Sequence, residues 1–341
     1  MLVRVFKLLL LLHVASSPQV HGKCQTVLVR DLPVHYLCIR HVLPRVHIQL
    51  KTFREAARRN DFAVSAEIYL RAETDAKSIR EQAAVLKGHV DGILLTDNQF
   101  GQLHLSTIAA ASILLDCGVD PIVQLTSRNR NRIALVSDLL GAGALGVTSL
   151  LLVAGERAPK EFKPRPKPVL DLSATDLIRT ANTIKFDEEL RTNPDFFIGG
   201  VVTPVAPGPH WKPKKLLEKI EAGAQFVQTH TCMDIELLRR YLKHLVKEKL
   251  IQRTSVIVSL AVLASAEDAQ WLRDNRPNVM VPGAVVERLA NADDPEAEGI
   301  RICVDIIQSL QKIPGVDGVS IMAVRDLAVI PKVISAAGLS T

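Results

Sequence analysis

The segment PIVQLTSRNRNRIALVSDLLGAGALGVTSLLLVAGE, residues 121–156, contains the repeating unit from which the fold can be predicted. A short apolar run is followed by a polar turn, a helix-length stretch and a second apolar run. Asn131 favours a helix start, because an asparagine side chain accepts a hydrogen bond from a first-turn N–H. Glycines at 141, 143 and 146 allow helix and sheet to approach closely. The segment therefore predicts a strand, a helix and a second strand.

The same alternation extends along the chain from residue 62. Eight apolar runs predict strands at residues 62–70, 91–97, 121–127, 148–155, 196–204, 225–231, 255–263 and 317–324. Eight strands alternating with helices are typical of a closed barrel. A doubly wound open sheet is the main alternative, but the G-x-G-x-x-G that usually follows its first strand is missing here. We predict an α/β protein with a single (β/α)8 TIM barrel at residues 51–335 and an irregular N-terminal extension at residues 1–50.

Composition limits the classes of function. The chain has 341 residues, of which 48 % are hydrophobic and 4 % aromatic. Its formal charge of +6 is modest and is concentrated up to Lys51 and at residues 159–168, so we expect no nucleic-acid partner. The five cysteines form no C-x-x-C pair, so we expect neither a disulfide framework nor a metal site. Scattered cysteines favour a reducing compartment.

The N-terminus points to a different compartment. Residues 1–22, MLVRVFKLLLLLHVASSPQVHG, combine a basic start with an apolar run and small residues after it. This is the outline of a secretory signal peptide, and the apolar run is too short to span a membrane. A mis-assigned start is the alternative interpretation.

Polar residues at the carboxyl ends of the predicted strands are the candidate site residues, because barrel enzymes work at that face. Glu67 interrupts an otherwise apolar strand, where burial would raise the pKa of its carboxyl and make it a general acid. The alternative is a structural ion pair with an arginine from residues 128–132. His230 is either an acid–base group or a residue that forms hydrogen bonds at the wall of the site. Cys232 lies two positions after it, which is only weak evidence for a nucleophilic cysteine. The proline- and lysine-rich connection that follows Glu156 is either a cover for a ligand or a surface insertion.

The order VSAE, LLTDN, QLTSRNRNR, LLGAGALGV, LLVAGE and KIEAGAQFVQTH resembles the methylenetetrahydrofolate reductase family over about residues 60 to 330. This resemblance implies a flavin-containing (β/α)8 enzyme of one-carbon metabolism. It places the family's acid, which protonates N10 of the folate, at Glu67. It places the cofactor-binding positions at Thr96, Gln124, Gly155, Glu156 and Lys219, and the substrate-binding positions at Gln228 and His230.

Two of these positions depart from the family pattern. Glu156 stands where the family has an aspartate near the flavin ring, which adds one methylene group. His230 stands where the family has a glutamine that contacts the pterin. A misplacement of about 1 Å can cost on the order of a hundredfold in rate, so both changes bear on the substrate and the reaction.

The resemblance implies an oxidoreductase that uses FAD and NAD(P)H to reduce 5,10-methylenetetrahydrofolate to 5-methyltetrahydrofolate. The expected partner is therefore a small-molecule folate, in the cytoplasm and without membrane contact. Two alternatives stay open: a folate-binding partner in methyl transfer or demethylation, and a catalytically impaired relative. The choice between NADH and NADPH and the formation of a homo-oligomer are also left open.

Overall fold

A closed barrel of eight parallel strands forms the centre of the computed structural model, which describes residues 52–59, 61–276 and 278–339. Each strand pairs with its neighbours in sequence, and β8 pairs with β1 to close the sheet. The strands are β1 (Ala63–Ile68), β2 (Gly92–Leu95), β3 (Pro121–Thr126), β4 (Ser149–Val153), β5 (Phe197–Val202), β6 (Phe226–Thr229), β7 (Ser255–Val262) and β8 (Gly318–Ala323). Every strand lies inside its predicted segment, so the predicted barrel is confirmed.

Eleven α-helices lie in the described ranges. They are α1 (Phe53–Arg59), α2 (Ala76–Leu86), α3 (Thr107–Asp116), α4 (Arg132–Leu145), α5 (Ala174–Thr183), α6 (Lys214–Ala222), α7 (Ile235–Lys247), α8 (Ala266–Asn275), α9 (Gly283–Ala290), α10 (Pro295–Leu310) and α11 (Val329–Ala336). The alternation of strands and helices predicts one helix between β7 and β8, where the structure has three, and α10 is the longest of them. The two that it missed, α8 and α9, are short, and each buries only two hydrophobic side chains. Helices of 10 and 8 residues contain only two to three turns in which an apolar periodicity can be recognised.

Helix α4 shows how the segment at residues 121–156 folds. The side chain of Asn131 caps the helix by accepting a hydrogen bond from Ala134 N at 3.0 Å, as predicted. Gly146 ends the helix with a φ of 90°, in the left-handed region that favours glycine. The predicted close approach of helix and sheet is wrong for all three glycines. Gly141 and Gly146 have open space beside them, and Gly143 packs against Pro194.

The base of the barrel is filled by aromatic rings. Phe53 of α1 contacts Phe226 edge-on, with 5.4 Å between ring centroids, and Phe197 stacks on Phe226 at 4.9 Å. Gly199 of β5 makes room for the Phe226 ring, since a Cβ at that position would collide with it. The backbone N–H of Phe53 donates to the buried carboxyl of Asp120 at 2.9 Å, which attaches α1 to the base of β3. Helix α1 therefore closes the amino-terminal end of the lumen.

The connection between β4 and α5 is long and contains no helix or strand between residues 154 and 172, as the sequence predicted. Its far end is attached to the loop after β3, because the N–H groups of Val169 and Leu170 both donate to the carbonyl oxygen of Arg128. The carboxylate of Asp171 accepts a hydrogen bond from Arg132 N at 2.6 Å. Both ends of the connection therefore lie at the carboxyl face of the barrel.

In the ranges that the structure describes, no helix has the length and apolar character needed to cross a membrane. The N-terminal extension at residues 1–50, with its signal-like segment, lies outside these ranges.

Candidate active site at the carboxyl end of the barrel

A cavity of about 820 Å³ opens at the carboxyl ends of the strands. This volume lies within the range of roughly 300–1,000 Å³ that is usual for small-molecule sites. All eight residues that the sequence analysis selected line it: Glu67, Thr96, Gln124, Gly155, Glu156, Lys219, Gln228 and His230. Residues that are far apart in sequence are thus brought together in one cavity, at the face where barrel enzymes carry out their chemistry.

Glu67 projects from β1 into this cavity. Burial raises the pKa of its carboxyl, and the charge of Arg276 and a side-chain hydrogen bond from Gln99 oppose that rise. The alternative of an ion pair with an arginine from residues 128–132 is not what the structure contains, because Arg130 pairs with Asp97 and Asp138 instead. Glu67 is therefore a carboxyl that desolvation favours in its protonated form.

Asp97 organises the ends of β2 and β3. Its side chain is fully buried and accepts one hydrogen bond from each of Nη1 and Nη2 of Arg130, at 2.8 and 2.9 Å. It also accepts the N–H and the hydroxyl of Thr126, at 2.7 and 2.9 Å. A bidentate, charge-assisted arrangement of this kind fixes geometry strongly. The two strand ends are consequently held together at the mouth of the barrel.

Thr96 and Gln124 lie on either side of this network. The hydroxyl of Thr96 donates to the carbonyl oxygen of Ile68 at 3.4 Å, which connects the ends of β2 and β1. The amide of Gln124 is half-buried and donates to the Asp97 carbonyl oxygen at 3.5 Å. Both side chains have hydrogen-bonding atoms on the cavity wall.

Gly155 and Glu156 follow β4 and lie at the mouth of the barrel. Gly155 has a φ of 83°, and a Cβ there would lie 2.7 Å from that of Thr126, so a side chain would not fit. The Glu156 carboxylate accepts a hydrogen bond from Phe100 N at 2.8 Å. Its other oxygen lies 3.7 Å from Nη1 of Arg276, which follows α8. Glu156 therefore joins connections that follow three different strands.

A group of lysines covers the opposite wall. Lys219 of α6 is half-buried, and its stem runs over Gly200 of β5. Burial and, to a smaller extent, the charge of Lys215 lower the pKa of Lys219. Lys212, Lys214 and Lys215 line the same wall, where α6 begins after Pro213 without a side-chain cap. The four lysines and the start of the helix give this wall the positive charge that attracts an anion.

His230 and Gln228 project from the end of β6. Burial, followed by the charges of Arg276 and Lys219, lowers the pKa of His230 to about 4, so its imidazole is neutral at neutral pH. Gln228 is buried beside it. Burial raises the pKa of the Cys232 thiol to about 12, so this cysteine does not carry the thiolate that a nucleophile needs. A neutral imidazole carries one hydrogen-bond donor and one acceptor, which His230 presents at the cavity wall.

Residues 52–338 match the methylenetetrahydrofolate reductase family. The chain belongs to this family. The match begins before α1, whereas the motifs quoted in the sequence analysis cover only about residues 60 to 330. The helix that closes the base of the barrel is therefore part of the family region. No curated protein matches the chain.

Several solved structures are similar to this member of the methylenetetrahydrofolate reductase family. An uncharacterized protein from Clostridium thermocellum, which binds two copies of 5-methyl-5,6,7,8-tetrahydrofolic acid, has a TM-score of 0.60 and 15 % identity, and the match covers 83 % of this chain and 96 % of that one. Tryptophan synthase from M. tuberculosis has a TM-score of 0.45 and 13 % identity over 84 % of this chain and 97 % of that one. At 15 % identity the similarity to the Clostridium thermocellum protein demonstrates the barrel fold alone.

Among the site residues that sequence reasoning missed in this reductase-family chain are Arg276 and Gln99. Arg276 lies after a helix that the pattern did not indicate, and Gln99 lies in the short turn after β2. Both line the cavity. Side chains in connections have no fixed periodicity, so residue type alone does not distinguish them from exposed polar residues. The one available signal for Gln99 was its position directly after a predicted strand end.

Proposed function

We propose that this protein reduces 5,10-methylenetetrahydrofolate to 5-methyltetrahydrofolate, with NAD(P)H as the source of hydride and a bound flavin as its carrier. The overall reaction adds one hydride and one proton and breaks the bond between the methylene carbon and N10 of the folate. Membership of the methylenetetrahydrofolate reductase family supports this proposal. The observation that carries it is Glu67, a carboxyl with a raised pKa in the cavity at the carboxyl face.

The residues of the cavity fit FAD. The lysine-rich wall at the start of α6 suits the diphosphate, because no ion pair occupies Lys212, Lys214, Lys215 or Lys219 within the described ranges. Thr96 and Gln124 supply hydrogen-bonding groups for the rest of the cofactor, beside the small Gly155. When bound, the flavin supplies the transfer of hydride between nicotinamide and folate.

The chain's own residues supply the proton and the orientation. Glu67 would hold a proton close to N10 of the folate, since desolvation favours its neutral form. The neutral imidazole of His230 and the amide of Gln228 would hydrogen-bond the pterin. The solved Clostridium thermocellum protein binds a reduced folate on a similar barrel, which supports a folate ligand here.

A folate-binding protein that does not reduce its ligand is the second candidate. The observation that favours it is Glu156, whose carboxylate is engaged by Phe100 N and Arg276. The purified protein distinguishes the two candidates. A reductase should be yellow, with flavin absorbance near roughly 450 nm, and should oxidise NAD(P)H and reduce methylenetetrahydrofolate in separate half-reactions. A colourless protein that binds methyltetrahydrofolate would support the second candidate.

Lys219→Met should weaken flavin binding by about 10- to 100-fold, because a hydrogen bond to a charged group contributes about 1.5–3 kcal/mol. The affinity can be measured by titrating flavin into protein from which it has been removed. Lys243→Met, on the exposed side of α7, removes the same charge away from the cavity and is the matched control. Equal flavin affinity in the two variants would contradict the placement of the phosphates at this wall.

A further inference from the structure

The short turn after β2 has an unusual backbone. Residues Gln99–Gly101 form a single 3₁₀ turn, and Asn98, Phe100 and Gly101 have φ values of 47°, 57° and 64°. The left-handed region is costly for residues with a Cβ, especially an aromatic one. Such a conformation persists only where the surrounding structure imposes it. The contacts that hold this turn in place therefore indicate what the turn does.

Two charged residues hold the turn from outside. Glu156 accepts the N–H of Phe100 at 2.8 Å, and the guanidinium of Arg276 lies 4.3 Å from the centroid of the Phe100 ring. Arg276 also faces Glu156, with 3.7 Å between Nη1 and Oε1. Glu156, Arg276 and Phe100 thus contact one another in a closed triangle, which we call the mouth clamp. It joins segments that follow β2, β4 and β7.

Gln99 is the residue that the clamped turn presents to the cavity. Gln99 lines the same cavity as Glu67, and hydrogen bonding from its side chain lowers the pKa of Glu67 against the rise that burial causes. Oε1 of Gln99 is buried without a partner among the described residues. An amide has both a donor and an acceptor. It can therefore donate to the ionised carboxylate and accept from the protonated carboxyl, which suits a group that must release and regain a proton.

We propose that the mouth clamp fixes the turn after β2 so that Gln99 orients the carboxyl of Glu67. In this arrangement Glu156 is a positioning residue that acts through Phe100 and Gln99. The additional methylene of Glu156, compared with the aspartate that the family resemblance places there, gives its carboxylate the reach to the Phe100 N–H. The inference rests on the proposed function, since it is that function which gives Glu67 its proton to deliver.

Two substitutions of Glu156 separate this role from one beside the flavin. Glu156→Gln keeps the length and an oxygen that can accept from Phe100 N, whereas Glu156→Asp keeps the charge and shortens the reach. We expect the folate half-reaction to slow less in Glu156→Gln than in Glu156→Asp. Glu156→Asp should lose about 10- to 100-fold, since a shift of about 1 Å can cost on the order of a hundredfold. If the negative charge of Glu156 is instead needed beside the flavin, Glu156→Gln will lose more of the rate than Glu156→Asp. That result would overturn the proposal.

Hydrogen–deuterium exchange tests the clamp independently of any activity. The N–H of Phe100 should exchange faster in Glu156→Asp than in the wild type and at the wild-type rate in Glu156→Gln, in a peptide that covers residues 98–102. Unchanged exchange in Glu156→Asp would overturn the clamp. If the wild type lacks a folate half-reaction, the proposed function fails, and the exchange result still decides whether Glu156 holds the turn.

Gln99→Ala completes the test. It should slow the folate half-reaction by about 10- to 100-fold by the same loss of orientation, without changing flavin reduction by NAD(P)H. Combined with Glu156→Asp, it should add little further loss, because residues that act through one contact are not additive. Full additivity of the two losses would show that Glu156 acts independently of Gln99 and would overturn the proposal.

Discussion

Replacing Glu67 by glutamine should slow folate reduction by a factor of about 10² to 10⁴, the usual range for a lost general acid. Glutamine keeps the shape of the side chain in the cavity and removes the proton that we assign to N10 of the folate. Flavin binding and flavin reduction by NAD(P)H should survive, because neither needs that proton. Anaerobic stopped-flow measurements of the two half-reactions give both rates separately.

The structural alternative for Glu67 predicts a different pattern. If its carboxyl only stabilises the barrel, Glu67→Gln would lower stability and flavin retention together and leave turnover per folded molecule unchanged. Glu81→Gln, on the exposed side of α2, is the matched control and should change neither half-reaction. An unaffected folate half-reaction in Glu67→Gln would remove this residue from the mechanism.

The pH dependence of the folate half-reaction provides a second measure of Glu67. Burial raises the pKa of this carboxyl, against the opposing effects of Arg276 and Gln99. The protonated form is the donor, so the rate should be highest below that pKa and fall as the pH rises through it. This decrease in rate at high pH should be missing from the pH profile of Glu67→Gln. A decrease that persists in the variant would have to be assigned to another titrating group.

Asp97→Ala should lower the free energy of unfolding by about 3–5 kcal/mol, the usual cost of removing one partner of a buried ion pair. The change would leave Arg130 with only the longer contact to Asp138, at 3.4 Å. It would also leave the N–H and hydroxyl of Thr126 without their acceptor. Urea unfolding of the two proteins, followed by circular dichroism, measures the difference.

The matched control for Asp97 is the exposed pair of Lys77 and Glu81 on α2, which lie 3.7 Å apart. Glu81→Ala removes one negative charge, as Asp97→Ala does, but should cost less than about 1 kcal/mol because exposed ion pairs contribute little. A similar loss in both variants would mean that the buried network at the mouth does not hold β2 and β3 together.

The strand pattern was sufficient to predict the barrel and the residues at its strand ends. Buried strands produce continuous apolar runs, and a polar residue such as Glu67 within one of them is conspicuous. The contacts of Glu156 could not be predicted in the same way. They depend on how far the connections after β2 and β7 extend across the mouth, and Phe100 and Arg276 meet only because both connections fold over it. The sequence also left open an ion pair between Glu67 and an arginine from residues 128–132, because residue type alone does not tell whether Glu67 or Asp97 lies next to Arg130.

The phenylalanine-filled base has a consequence for the order of events in the proposed reaction. With α1 closing the amino-terminal end, the described residues leave the lumen open at its carboxyl end. Nicotinamide and folate would then have to use the same entrance and approach the same flavin. The oxidised nicotinamide would have to depart before the folate arrives, so the enzyme would alternate between two forms and never hold both substrates at once. If both substrates bind through this opening against the same face of the flavin, each would exclude the other, and the proposed reaction would follow a ping-pong sequence.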